Sequence, residues 1–245
     1  MVTRRVIVCL DVRDGRVVKG VEFTGLRDMG DPTELAERYE NEGADEIVLL
    51  DVTGRGHDLD TVRRAAEGVF VPLTVGGGVR SRDDVSALLR AGADKVSINS
   101  AAVARPELIS ACARKFGSQC VVASIDVRGG RVWVNGGRVE TSLDAIEWAR
   151  RCAEVGAGEI LLTSIERDGT RTGYDVELTR AVADVVSVPV VASGGAGNAE
   201  HVVEVLRVAD AALVAGIVHE RAVSVAEIKR ALCANGVPTR MTYAA

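Results

Sequence analysis

Two aspartates carry the first chemical signal in this chain. Asp11 closes the apolar run 6–11, and Asp126 closes the like run 121–126, 115 residues later. Leu10-Asp11-Val12-Arg13 returns as Ile125-Asp126-Val127-Arg128, so the two carboxylates hold matched places in an internal repeat. A lone aspartate at a strand end most often caps a turn. Two of them, each feeding a long connection, suit one proton donor and one acceptor working on a single substrate.

Two glycine turns repeat in the same order. Gly76-Gly77-Gly78 follows 71–75, and Ser193-Gly194-Gly195 follows 188–192, with Gly77 and Gly194 separated by 117 positions. Tight turns need glycine anyway, but backbone amides at such turns, backed by a helix N-terminus, also bind phosphate oxygens. Small residues close the neighbouring runs, Asn99-Ser100 in one half and Ala215-Gly216 in the other. The pair of turns predicts two facing phosphate sites and a ligand phosphorylated at both ends. Lys19, in the first long connection, either covers a phosphate or is solvated.

Arg5, Glu46, Lys95 and Glu159 stand at the heads of apolar runs, at the end opposite the aspartates. They make either a solvated rim or a ring of mixed charge, and spacing alone leaves both open. His57, His201 and His219 share no metal-ligand spacing and no triad with a nucleophile, so no metal site is read. Cys9 shares strand parity with Asp11 and reads as a small inward-facing filler.

The elements that must position these groups follow from hydrophobic period. Runs 6–11, 46–51, 71–75, 95–99, 121–126, 159–163, 188–193 and 211–215 are nearly continuous in apolar residues, as parallel strands covered on both faces are. Helix starts alternate with them: Asp31-Pro32-Thr33-Glu34, Ser81-Arg82-Asp83-Asp84 and Ser224-Val225-Ala226-Glu227. Gly43, Gly92 and Gly156 sit where helices should stop. Eight strand–helix units in two fourfold halves predict an α/β protein, a single (β/α)8 TIM barrel over 1–245 with half-barrels of about 1–120 and 121–245. A doubly wound sheet would usually carry G-x-G-x-x-G after its first strand, where Asp11-Val12-Arg13-Asp14-Gly15 stands instead. The connections 12–30 and 127–140 are long, and the second holds an alternating segment with an Asn135-Gly136 turn, hence a hairpin.

Composition agrees. A length of 245 residues is ordinary for one such barrel, and 47% hydrophobic content supplies its core. The net charge of −5, with both signs interspersed, offers no basic field for nucleic acid. Five cysteines without C-x-x-C spacing fit reduced thiols rather than a disulfide framework. No run reaches membrane-span length and the opening residues lack a signal-peptide pattern, so a soluble cytoplasmic protein without membrane contact is expected.

The segments Cys9-Leu10-Asp11-Val12-Arg13-Asp14-Gly15-Arg16-Val17-Val18-Lys19-Gly20, Gly30-Asp31-Pro32, Asp94-Lys95-Val96-Ser97-Ile98-Asn99, Arg167-Asp168-Gly169-Thr170 and Ala192-Ser193-Gly194-Gly195-Ala196-Gly197 resemble the cyclase subunits of imidazole glycerol phosphate synthases. The resemblance spans essentially the whole chain. It implies a histidine-pathway lyase that takes ammonia from a glutaminase subunit, with which it pairs as a heterodimer. The ammonia joins a phosphoribulosyl aminoimidazole carboxamide ribotide, giving imidazole glycerol phosphate and an aminoimidazole carboxamide ribotide. Asp11 and Asp126 match the family's acid–base pair. Gly78, Asn99 and Ser100 match one phosphate site, and Asp168, Gly169, Gly195, Ala215 and Gly216 the other. Lys19 matches the loop that covers the substrate, and Arg5, Glu46, Lys95 and Glu159 match a gate for ammonia. No metal or redox cofactor is implied.

Several residues depart from that pattern. Glu22 replaces asparagine, Ser100 threonine and Gly216 serine, and His219-Glu220-Arg221 replaces an aromatic continuation. Stretch 207–210 is one residue shorter than its repeat partner. Most of these changes lie around the eighth strand, and those motivate a first alternative, a paralogue acting on a related phosphosugar or ribotide. The sister isomerase of the pathway would use the same twin aspartates but has no need of four gate charges. A non-catalytic activator of a glutaminase would have no use for Asp11 and Asp126.

Overall fold

The computed structural model describes residues 3–21, 24–56 and 58–241; Glu22 and His57 lie outside the described residues. Eight parallel strands close on themselves: β1 (Arg5–Arg13), β2 (Glu46–Asp51), β3 (Leu73–Gly76), β4 (Lys95–Ile98), β5 (Val121–Arg128), β6 (Glu159–Ser164), β7 (Val190–Ser193) and β8 (Ala211–Val214). Each pairs with the next and β8 pairs with β1, so that β4 with β5 and β8 with β1 join the first four strands to the last four, giving the (β/α)8 barrel. The principal helices are α1 (Pro32–Asn41), α2 (Leu59–Gly68), α3 (Arg82–Arg90), α4 (Glu107–Phe116), α5 (Ala145–Glu154), α6 (Val176–Ala183), α7 (Ala199–Val205) and α8 (Val225–Ala234).

The helix starts are built as the sequence predicts. Asp31 accepts from the amides of Thr33 and Glu34 with Pro32 in the first turn, and Ser81 and Ser224 form reciprocal capping boxes with Asp84 and Glu227. β3 and β7 begin two residues later than their apolar runs. Pro72 and Pro189 precede them and cannot donate to a ladder, although their carbonyls accept from Ile47 and Ile160 of the neighbouring strands at 3.0 and 2.9 Å. β4 and β8 end one residue early because Asn99 and Ala215 turn out of the ladder to start short helices.

β1 and β5 instead run past their aspartates into hairpins. β1 turns at Asp14-Gly15, both with positive φ, into Arg16–Val21, which pairs with Thr24–Gly30. β5 turns at Gly129-Gly130 into Arg131–Val134, which pairs with Val139–Asp144 through the Asn135-Gly136 turn. The first hairpin fills what reads in the sequence only as a long connection, and Asp14-Gly15 after a strand is its local signal.

Alternation along the strands separates two cores. Val6, Val8, Leu10 and Val12 pack outward under the helices, whereas Ile7 and Cys9 join Val48, Val122, Leu161, Val191, Ala211 and Leu213 along the barrel axis. In β5, Val121, Ala123, Ile125 and Val127 face outward and Val122 faces the axis. Asp11 and Asp126 therefore carry inward parity. Asp51 ends β2 with outward parity, and its carboxylate organises the next turn by accepting from the amides of Thr53 and Gly56 at 3.0 and 2.8 Å.

Candidate active site

Asp11 and Asp126 lie on opposite sides of the C-terminal mouth. The Cys9 thiol donates to Asp11 at 3.6 Å, and the Asn99 side-chain amide donates to Asp126 at 2.9 Å and to the Trp133 carbonyl at 3.3 Å. Burial raises the Asp11 pKa above the ordinary carboxylate range; Lys19 pulls it back and Asp168 pushes it further up. Burial raises Asp126 to about 6, against the Asn99 hydrogen bond and with help from Asp168. Asp168 thus sits where its charge reaches both members of the pair. The Cys9 thiol is pushed well up, by burial first and then by Asp11, and stays a neutral donor.

The glycine turns have a structural cause the sequence did not separate from ligand binding. A Cβ on Gly77 would lie 2.2 Å from the Asp51 carbonyl, and one on Gly194 would lie 2.6 Å from the Ser164 carbonyl, both at φ +91. Asp51 and Ser164 are the last residues of β2 and β6, so each turn crosses the end of the preceding strand. Gly78 and Gly195 are equally tight against Gly56 and Gly173 of the adjoining loops. The Cβ side of all four glycines is filled by protein backbone, and any ligand must use the amides on the other side.

Beside those turns, the short helices Ser100–Ala104 and Gly216–His219 start at Asn99 and Ala215 without a side-chain cap. Their opening backbone angles match closely (φ −115, ψ −89 and φ −142, ψ −82), so the two halves present similar uncapped first turns. The Asn99 carbonyl oxygen Oδ1 is buried without a hydrogen-bond partner. The Ser100 hydroxyl accepts from the Asn135 amide at 2.9 Å, fixing the second hairpin to this end of the mouth. Lys19 lies on Arg16–Val21, with its stem 3.2 Å from where a Cβ of Gly216 would stand. Gly169 follows Asp168 with positive φ and open space at its Cβ position.

At the opposite end the four charges form a closed ring. Arg5 bonds Glu46 at 3.0 Å and also Glu159, and Lys95 bonds Glu46 at 2.7 Å and Glu159 at 2.8 Å. Glu46 and Glu159 are only 2% and 5% exposed, which rules out a solvated rim. Thr74 donates to the remaining Glu46 oxygen at 2.5 Å. Burial works against the Arg5 cation, yet Glu159 and Glu46 outweigh it and raise its pKa.

Sequence reasoning gave His219 no role. It is buried, with Nδ1 against the Tyr39 hydroxyl at 2.7 Å and Nε2 against the Cys9 carbonyl at 2.9 Å. Burial holds its pKa down to about 4, so the imidazole is neutral and ties α1 and the short helix to β1 two residues before Asp11. Among the described residues no group of His, Cys, Asp and Glu has the makings of a metal site, and no helix is long and apolar enough to cross a membrane.

Comparison with known proteins adds two findings. Residues 5–224 match the family model described as "Histidine biosynthesis protein". The chain is 61% identical over 98% of its length to the "Imidazole glycerol phosphate synthase subunit HisF" of Myxococcus xanthus (strain DK1622), covering 99% of that protein.

Proposed function

The chain belongs to the histidine biosynthesis protein family and, within it, with the HisF subunits of imidazole glycerol phosphate synthase, and on that premise we propose how its barrel works. Ammonia enters at the Arg5–Glu46–Lys95–Glu159 ring, follows the apolar axis and attacks the ketone of a phosphoribulosyl aminoimidazole carboxamide ribotide at the mouth. Loss of water gives an imine. Cleavage then releases the aminoimidazole carboxamide ribotide, and ring closure gives imidazole glycerol phosphate. Asp11 and Asp126 move the protons these steps require. The observation that carries this reading is their inward parity on opposite strands, each held above the ordinary carboxylate range and so able to exchange a proton nearer neutral pH. Lys19 biases Asp11 toward its carboxylate form, so the two differ in environment, as a donor and an acceptor must.

The two substrate phosphates occupy the uncapped first turns. Gly78, Asn99 and Ser100 take one, and Asp168, Gly169, Gly195, Ala215 and Gly216 the other, with Lys19 closing over the second. Matched, uncapped helix starts in both halves support this assignment. Gly216 leaves the room that the Lys19 stem uses. No metal is assigned a part in these steps.

The partner is a glutaminase subunit docked on the ring face, where ammonia enters. Phe70, 94% exposed in the connection leading into β3 at that end, supports a covered surface there. Five free cysteines agree with a cytoplasmic enzyme.

The test supplies the purified chain with the bisphosphorylated ribotide and excess ammonium salt. Turnover without a glutaminase is expected; a folded chain that binds substrate but does not turn over defeats the proposal. Phe70→Ser should leave ammonium-driven turnover intact while weakening association with the glutaminase about tenfold or more. Equal association by wild type and variant in a titration would place the docking surface elsewhere.

A further inference from the structure

We infer that Glu220 is a positioning residue for Lys19, acting through Arg27, an inference that rests on the reading of the mouth as the substrate site. Lys19 and Arg27 are directly opposed across the first hairpin. Opposed residues of an antiparallel pair point to one face, and two cations placed so repel each other. Glu220 relieves this. One oxygen accepts from Arg27 at 2.9 Å, and the other accepts from Arg171 in the loop after β6, three residues beyond Asp168.

The geometry explains why the effect reaches Lys19. Glu220 is the C-cap of Gly216–His219, and its amide bonds the Gly216 carbonyl at 3.0 Å. Gly216 and Glu220 stand one helical turn apart, so the same short helix receives the Lys19 stem at one end and the Arg27 guanidinium at the other. A single carboxylate thereby joins the first hairpin, the Asp168 loop and the short helix after β8. Its neighbours hold its pKa below the ordinary carboxylate range, Arg171 by hydrogen bond first. Neither ion pair is deeply buried, with side chains 70%, 49% and 28% exposed for Arg27, Arg171 and Glu220. The pairs therefore govern the hairpin's position rather than global stability.

Hydrogen exchange on the intact chain tests this without reference to any substrate. Glu220→Gln should speed exchange in the hairpin strands Arg16–Val21 and Thr24–Gly30 about two- to fivefold and leave the barrel strands unchanged. Unchanged exchange in the hairpin would overturn the inference. Ammonium-driven kinetics supply the second arm. Glu220→Gln should raise KM about five- to tenfold with a smaller change in kcat, and Arg27→Gln with Glu220→Gln should be no worse than Glu220→Gln alone. Additive losses in the double variant would overturn the route through Arg27. If wild type shows no turnover, the functional reading fails, and the exchange result still decides the Glu220–Arg27 link.

Discussion

Asp126→Asn is expected to lower ammonium-driven turnover by about 10²–10⁴-fold, and at the same time to make the protein more stable at neutral pH. The loss follows from removing one member of the proposed proton-transferring pair without changing its shape. Asparagine keeps an oxygen to accept from the Asn99 amide, so the Asn99–Trp133 contact persists. The gain follows from the sign of the pKa shift. The buried Asp126 holds its proton to about pH 6, whereas the unfolded chain gives up the same proton near the ordinary carboxylate value. Between those two values the native state binds more protons than the unfolded state, so stability falls as pH rises through the window. A neutral asparagine escapes that fall and should exceed wild type above pH 6 by about 1–3 kcal/mol. Urea unfolding at pH 4.5 and 7.5 checks it: the two proteins should converge at the lower pH and separate at the higher. A less stable variant at pH 7.5 would mean that the ionised carboxylate is better solvated than its surroundings suggest. Asp11→Asn should share the loss of turnover.

Glu46→Ala is expected to cost about 2–4 kcal/mol of stability. Glu46 is 2% exposed and receives Arg5, Lys95 and Thr74. Its removal leaves two cations to share Glu159 and takes the acceptor from the buried Thr74 hydroxyl. The cations themselves are partly exposed, at 26% and 17% of their side chains, which keeps the cost below that of a fully buried pair. Glu46→Gln, which keeps the shape and the Thr74 contact, should cost less. Urea midpoints decide: a loss under about 1 kcal/mol for the alanine variant would mean the ring behaves as ordinary surface pairs do.

The barrel was legible because its signals are local. Continuous apolar runs, capped helix starts and glycine stops each read within a few residues, and the repeat multiplied the weight of the runs. Inward parity of Asp11 and Asp126 followed from counting along a strand, the same count that sends Asp51 outward. What escaped is long-range or ambiguous in kind. Glu220 meets Arg27 and Arg171 across 193 and 49 residues, and nothing in its own neighbourhood announces either. His219 offered no metal spacing, and its role comes from burial against Tyr39 and Cys9, which lie 180 and 210 residues away in sequence. The glycine turns were seen, but one residue type serves both a ligand and a backbone crossing. Only the carbonyls of Asp51 and Ser164, lying where side chains would go, reveal the crossing.

The closed ring of Arg5, Glu46, Lys95 and Glu159 has one further property. Its charges alternate in sign around the circle and sum to zero. Along the axis of such an arrangement the potentials of opposite sign offset one another, leaving at most a shallow electrostatic well for an ion of either sign. An ammonium ion passing through would give up its hydration shell with nothing to replace it, whereas uncharged ammonia has little hydration to lose. For the ammonia entrance proposed above, the ring would thus act as a filter on protonation state, admitting the free base, the form that can attack a carbonyl, and turning back the cation that dominates in neutral solution.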